Sequence, residues 1–85
     1  MVTFIQVTGS TLTIDQINDA IMYAGLPESF VGITSYGEGR FCFEVHDSEN
    51  YQDETESFRM DLQARESNKS WYDVFEVENE HYAMI

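Results

Sequence analysis

The chain has 85 residues, a 42% apolar fraction and twelve aromatic side chains, enough for one packed core in a single α+β domain spanning residues 1–85. Sixteen acids against four bases leave a net charge of −12, which repels phosphates and excludes direct binding to DNA, RNA or an anionic membrane. The imbalance is uneven, with four acids to one base in residues 1–43 and twelve to three in residues 44–85.

A lone cysteine, Cys42, leaves no internal disulfide and fits a reducing compartment. The opening "MVTFIQVTG" has neither a basic segment nor a long enough apolar run for a signal peptide. The apolar runs are too short to span a bilayer. The expectation is a soluble, cytoplasmic protein.

In chain order, "TFIQV" (3–7) is β-branched and aromatic, with turn residues Gly9 and Ser10 behind it, and predicts a first strand. "LTIDQINDAIMYAGLP" predicts a helix. Thr13 and Gln16 stand at the spacing of a capping box, and Leu12 can staple onto Ile17. Ile14, Ile17, Ile21 and Ala24 form one apolar stripe, while Gly25, Leu26 and Pro27 close the helix.

"SFVGITSY-GEG-RFCFEVH" predicts a hairpin turning at Gly37-Glu38-Gly39. Phe41, Phe43 and Val45 would make its apolar face, with Arg40, Cys42, Glu44 and His46 opposite. Gly32 marks a bulge or a close backbone approach.

"HDSENYQDETESFRMDL" (46–62) predicts a second helix. Asp47 or Ser48 would cap it, and Tyr51, Thr55, Phe58 and Leu62 would gather on one side. Glu49, Asp53 and Glu56 would gather on the other side, with Glu54 and Asp61 on a flank. "SNKS" (67–70) ends this helix. "WYDVFEVE" (71–78) predicts a strand whose alternation slips between Val74 and Phe75. "HYAMI" either extends it or folds back after Asn79 as a fifth strand. The order β-α-β-β-α-β fits an antiparallel sheet with two helices on one face, the ferredoxin-like arrangement.

Catalytic signatures are missing, so no catalytic residues and no cofactor are expected. Cys42 and His46 lie about 13 Å apart along a strand, too far for direct thiol activation. "DSENYQDETE" resembles a calcium loop only superficially, since its sixth position is Gln52 and its fifth Tyr51. His46 and His81 with Cys42 make no closed zinc site, so no metal is expected. "GRFCFEV" (39–45) has the alternating aromatics of RNA-recognition strands. It lacks their basic start, however, and carries Glu44.

What remains is the acidic helix. Exposed helix faces are commonly charged and excess acid aids solubility, but two details go further. Like charges at Glu49–Asp53 and Asp53–Glu56 destabilise an isolated helix by about 0.2–0.5 kcal/mol each. Met60 falls within the acidic face, as an interface anchor within a charged rim would. The charge continues through Asp73, Glu76, Glu78 and Glu80. Carboxylates about 5–6 Å apart approximate phosphate spacing, and such a band would suit a protein built to bind nucleic acid through Lys and Arg.

In length, charge and its acidic helix over residues 46–66, the chain resembles small acidic proteins of phages and mobile elements. These inhibit restriction, CRISPR or other host nucleic-acid enzymes. The resemblance implies a stoichiometric, non-catalytic inhibitor acting in the host cytoplasm on a basic nucleic-acid-binding protein. Glu49, Asp53, Glu54, Glu56, Met60, Asp61, Asp73, Glu76 and Glu78 are the expected contact residues. The alternative is a small interaction module whose acidity serves solubility. It would use a sheet edge, which permits a homodimer, or the aromatic tail around Tyr72, Tyr82 and Met84.

Overall fold

The first strand is apolar on both faces, which decides its place in the sheet. A computed structural model describes residues 1–66 and 71–77; of residues 71–77 it describes the backbone and the Tyr72 side chain. Strand β1 (Val2–Thr8) buries Val2 and Phe4 on one face and Ile5 and Val7 on the other. A strand covered on both faces belongs inside a sheet, and β1 pairs antiparallel with two neighbours.

Helix α1 (Ile14–Ala24) follows, then β2 (Val31–Gly37), β3 (Arg40–His46), helix α2 (Gln52–Arg65) and β4 (Trp71–Val77). The described strands form one antiparallel sheet in the order β2-β3-β1-β4. This is the ferredoxin-like order that the alternation of elements predicts. Both helices cover the same face, because Ile17, Ala20 and Ile21 of α1 and Phe58 and Leu62 of α2 share one core with Ile5, Val7, Phe43 and Val45. The Phe58 ring meets Phe43 edge to face at 5.4 Å, which seats α2 on β3.

Helix α1 begins as its sequence dictates. Thr13 Oγ1 accepts the Gln16 N–H, Gln16 Oε1 accepts the Thr13 N–H at 2.9 Å, and Gly25 closes the helix. The stripe holds at Ile17, Ile21 and the partly buried Ala24, while Ile14 at its start lies outside the core. Ile14 is 48% exposed, and Ile17, Ala20 and Ile21 are the buried residues.

Helix α2 departs further from its prediction. Neither Asp47 nor Ser48 caps it; its N-cap is Tyr51, after a short 3-10 turn over Ser48–Asn50. The reason is tertiary. The buried Ser48 hydroxyl accepts from Thr3 Oγ1 at 2.7 Å, and the Ser48 N–H donates to the Met1 carbonyl at 3.1 Å. Asp47 turns left-handed at φ 56° and accepts from the Asn50 amide instead.

One smaller expectation is also corrected. The ladder irregularity lies between Ser35 and Gly37, whereas Gly32 pairs regularly with Glu44. The strand predicted at 71–78 is present as β4, and its register with β1 runs evenly from Val77 opposite Val2 to Trp71 opposite Thr8, across the Val74–Phe75 slip in alternation. A fifth strand from "HYAMI" and the break at "SNKS" fall outside the described residues.

One end of the domain is tied by polar contacts. The Glu66 carboxylate, just past α2, accepts from Ser10 Oγ at 2.6 Å, the Thr11 N–H at 2.8 Å and the Thr11 hydroxyl. The Ser10 N–H donates to the Gly39 carbonyl at 2.9 Å. Gly39 has φ +75°, and a Cβ there would stand 2.5 Å from the Ser10 carbonyl oxygen. The buried Tyr72 hydroxyl has no hydrogen-bond partner among the described residues. Burial, with the Glu66 charge adding, pushes its pKa up to about 12.

Gly39→Ala should therefore cost more than the roughly 1–3 kcal/mol of backbone strain alone. Gly37→Ala, at φ +79° with open space around it, should cost only the strain. Urea midpoints of the two variants compare them directly. Tyr72→Phe removes an orphaned buried hydroxyl and should leave stability unchanged or raise it by about 1 kcal/mol. Between the ordinary value of 10.0 and about 12 the unfolded chain loses the Tyr72 proton while the folded chain keeps it. Stability is full below that window and falls as pH rises through it; urea titrations across it should show a smaller loss for the phenylalanine variant.

Candidate functional site

The buried ridge of α2 fixes which residues face outward. Thr55, Phe58 and Leu62 are buried, so at 100° per residue the opposite ridge carries Asp53, Glu56 and Met60 at spacings of three and four. All three are exposed, and Met60 is 57% accessible. These three are what the structure brings together from the expected contact residues.

The others are placed differently. Glu49 lies before α2 in the 3-10 turn, where its carboxylate pairs with the Met1 amino group at 2.9 Å. Glu54 is half-buried, with its Cγ beside the end of α1 at Gly25. Asp61 pairs with Arg65 at 2.9 Å, one turn along the helix. The backbones of Asp73 and Glu76 stand opposite Gln6 and Thr3 in the β1–β4 ladder, and Glu78 lies outside the described residues.

Nor is the ridge uniformly negative. Arg59 donates through Nε and Nη2 to the Glu56 carboxylate and through Nη1 to Gln63 Oε1 at 3.2 Å. Hydrogen bonding from Arg59 holds the Glu56 carboxyl below the usual carboxylate range. The Glu56 pair therefore survives to lower pH than an isolated glutamate would. Asp53 has no such cation beside it among the described residues, so the centre of negative charge on the ridge is Asp53, with Met60 and the ion-paired Glu56 beyond it.

The sequence reading passed over α1. Met22 and Tyr23 are 75% and 82% exposed, and Asp15 and Asp19 are exposed with them. The signal was present, since Met22 and Tyr23 fall off the stripe of Ile17 and Ile21. The two helices thus show solvent a mixed surface of carboxylates, two methionines and a tyrosine.

Elsewhere, His46 Nε2 lies 3.6 Å from Glu44 Oε2. Cys42 is buried in β3, where burial and then the Glu44 charge push its thiol pKa up. No cluster of three or more His, Cys, Asp or Glu side chains among the described residues could hold a metal ion. No helix among them is long and apolar enough to cross a membrane. No protein-family model matches the chain, and no curated protein matches it in sequence.

Because the Arg59–Glu56 pair is solvent-exposed, Arg59→Gln should lower stability by only about 0.3–0.5 kcal/mol in thermal or urea unfolding. The same change uncovers the Glu56 charge on the ridge. Association with a basic partner through this ridge should therefore speed up in stopped-flow measurements at low salt.

Proposed function

We propose that the protein is a stoichiometric, non-catalytic binder of a basic protein surface, acting as an inhibitor at a nucleic-acid-binding site. The observation that carries this reading is the outer ridge of α2, where Asp53, Glu56 and Met60 are exposed in a row. A methionine makes an adaptable apolar contact, and the carboxylates around it select Lys and Arg on the partner. Interfaces of this form concentrate affinity in a few anchors and take speed from the surrounding charge. The exposed Met22 and Tyr23 of α1 supply further apolar contact on the same two-helix layer.

Of the expected contacts, Glu49, Glu56 and Asp61 are already ion-paired within the chain. Arg59 and Arg65 would have to release their partners or share them. The contact is accordingly a mixed acidic and apolar one, in which the net charge of −12 guides approach and Met60 with Asp53 fixes the docked pose. Mimicry of a nucleic-acid backbone is the narrower form of this proposal.

A second reading rests on β2. It lies at an edge of the sheet, and its residues Thr34–Gly37 are exposed. Strand addition there would make the protein an interaction module or a homodimer, with its acidity serving solubility.

Capture from the native host's lysate separates the two. The wild-type chain and an Asp53→Asn, Glu56→Gln, Met60→Ala variant are compared at low salt and at about 0.5 M, where the Debye length falls to roughly 4 Å. The first reading expects a nucleic-acid enzyme at low salt, lost at high salt and reduced about tenfold or more by the variant. A partner retained through both changes, or a dimer persisting in sedimentation at high salt, would transfer the function to the β2 edge.

A further inference from the structure

The sheet face turned away from the helices holds a feature of opposite sign. A groove of about 490 Å³ is lined by Gln6, Val7, Thr8, Tyr36, Arg40 and Phe41, a volume within the usual range for small-molecule sites. Strand alternation sorts its walls. Val7 and Phe41 belong to the helix-side core, so Gln6, Thr8 and Arg40, which alternate with them, face the other way.

Arg40 is unlike the other described cations. Arg59 is committed to Glu56 and Arg65 to Asp61. Arg40 makes no ion pair among the described residues, although acids outnumber bases four to one along the chain. Its guanidinium carbon lies 5.9 Å from the centre of the Tyr36 ring, within range of a cation–π contact that restrains the side chain. The hairpin makes this possible by setting Arg40 opposite Gly37 across the turn, next to Tyr36. An arginine restrained by an aromatic ring keeps its planar fork of donors for a ligand. Gln6 and Thr8 add an amide and a hydroxyl, neither of which is used in another hydrogen bond among the described residues.

We propose that this groove binds a monocarboxylate, with the carboxylate on the Arg40 fork, Gln6 and Thr8 beside it, and the organic body against Tyr36. One guanidinium neutralises one carboxylate through a bidentate pair. A phosphate dianion would bring a second, uncompensated charge into the field of a chain at −12, so the site favours the singly charged ligand. The chemistry is the same for a free organic acid and for the terminal carboxylate of a peptide. The proposal is independent of the α2 ridge and of the function drawn from it.

The test is an amide-resolved NMR titration of the whole chain with benzoate, benzamide, inorganic phosphate, and a short peptide with a free or amidated C-terminus. Benzoate should give saturable shifts centred on Gln6, Thr8, Tyr36 and Arg40, while benzamide and phosphate give none. The free-acid peptide should bind with equal or greater affinity than benzoate if the natural source is a chain terminus, and more weakly if it is a small acid; the amidated peptide should not bind. Arg40→Gln, at an exposed position, should keep the remaining spectrum and weaken benzoate about tenfold or more, with Arg40→Lys losing less. Absent or scattered shifts, equal binding by Arg40→Gln, or phosphate binding as well as benzoate would overturn the assignment.

Discussion

Everything in this domain is arranged around a strand that carries buried apolar side chains on both of its faces. β1 buries Val2 and Phe4 on one side and Ile5 and Val7 on the other, and each such apolar side chain contributes about 1.5–3 kcal/mol when removed from water. A strand of that kind must be flanked by partners and covered above. The antiparallel neighbours β3 and β4 provide the first, and both helices, packed together over Ile5 and Val7, provide half of the second. The helices' outer ridges are then free to be polar, because the core needs nothing from them.

That separation explains how a helix as acidic as α2 remains folded. Its hold on the domain comes through Thr55, Phe58 and Leu62 and the ring contact between Phe58 and Phe43. Repulsion along the outer ridge is relieved by Arg59 at Glu56, and Arg65 quiets Asp61 on the flank. Glu66 then secures the end of the helix to the loop after β1. Charge placed on such a scaffold can serve recognition with little effect on packing, since the two sets of residues occupy different sides of the same cylinder.

Local signals in the sequence were legible, and long-range ones were not. The start of α1 could be read because Thr13 and Gln16 answer each other within one turn, and the sheet order followed from the alternation of elements. Ser48 also looked like a cap, but its hydroxyl is held by Thr3, far away in sequence, which no local pattern encodes. The same distinction holds at the candidate site. The Glu56–Arg59 and Asp61–Arg65 pairs were written at helical spacing and could have been read, whereas the pairing of Glu49 with the Met1 amino group depends on the fold bringing the chain start to the 3-10 turn. The Arg40 groove needed β1 beside β3, which only the register supplies.

The placement of β1 also constrains how the molecule is made. Its two neighbours are both synthesised after it, and Val2 finds Val77 across the ladder only when almost the whole described chain has emerged. Until then β1 can pair only with β3, on one of its two edges, while α1, whose caps are local, can already fluctuate into shape. Pairing of such distant segments is slow to nucleate, since a long loop must close before any contact rewards it. The strongly acidic second half of the chain means that the closing strand arrives with a charge that disfavours pairing between two copies.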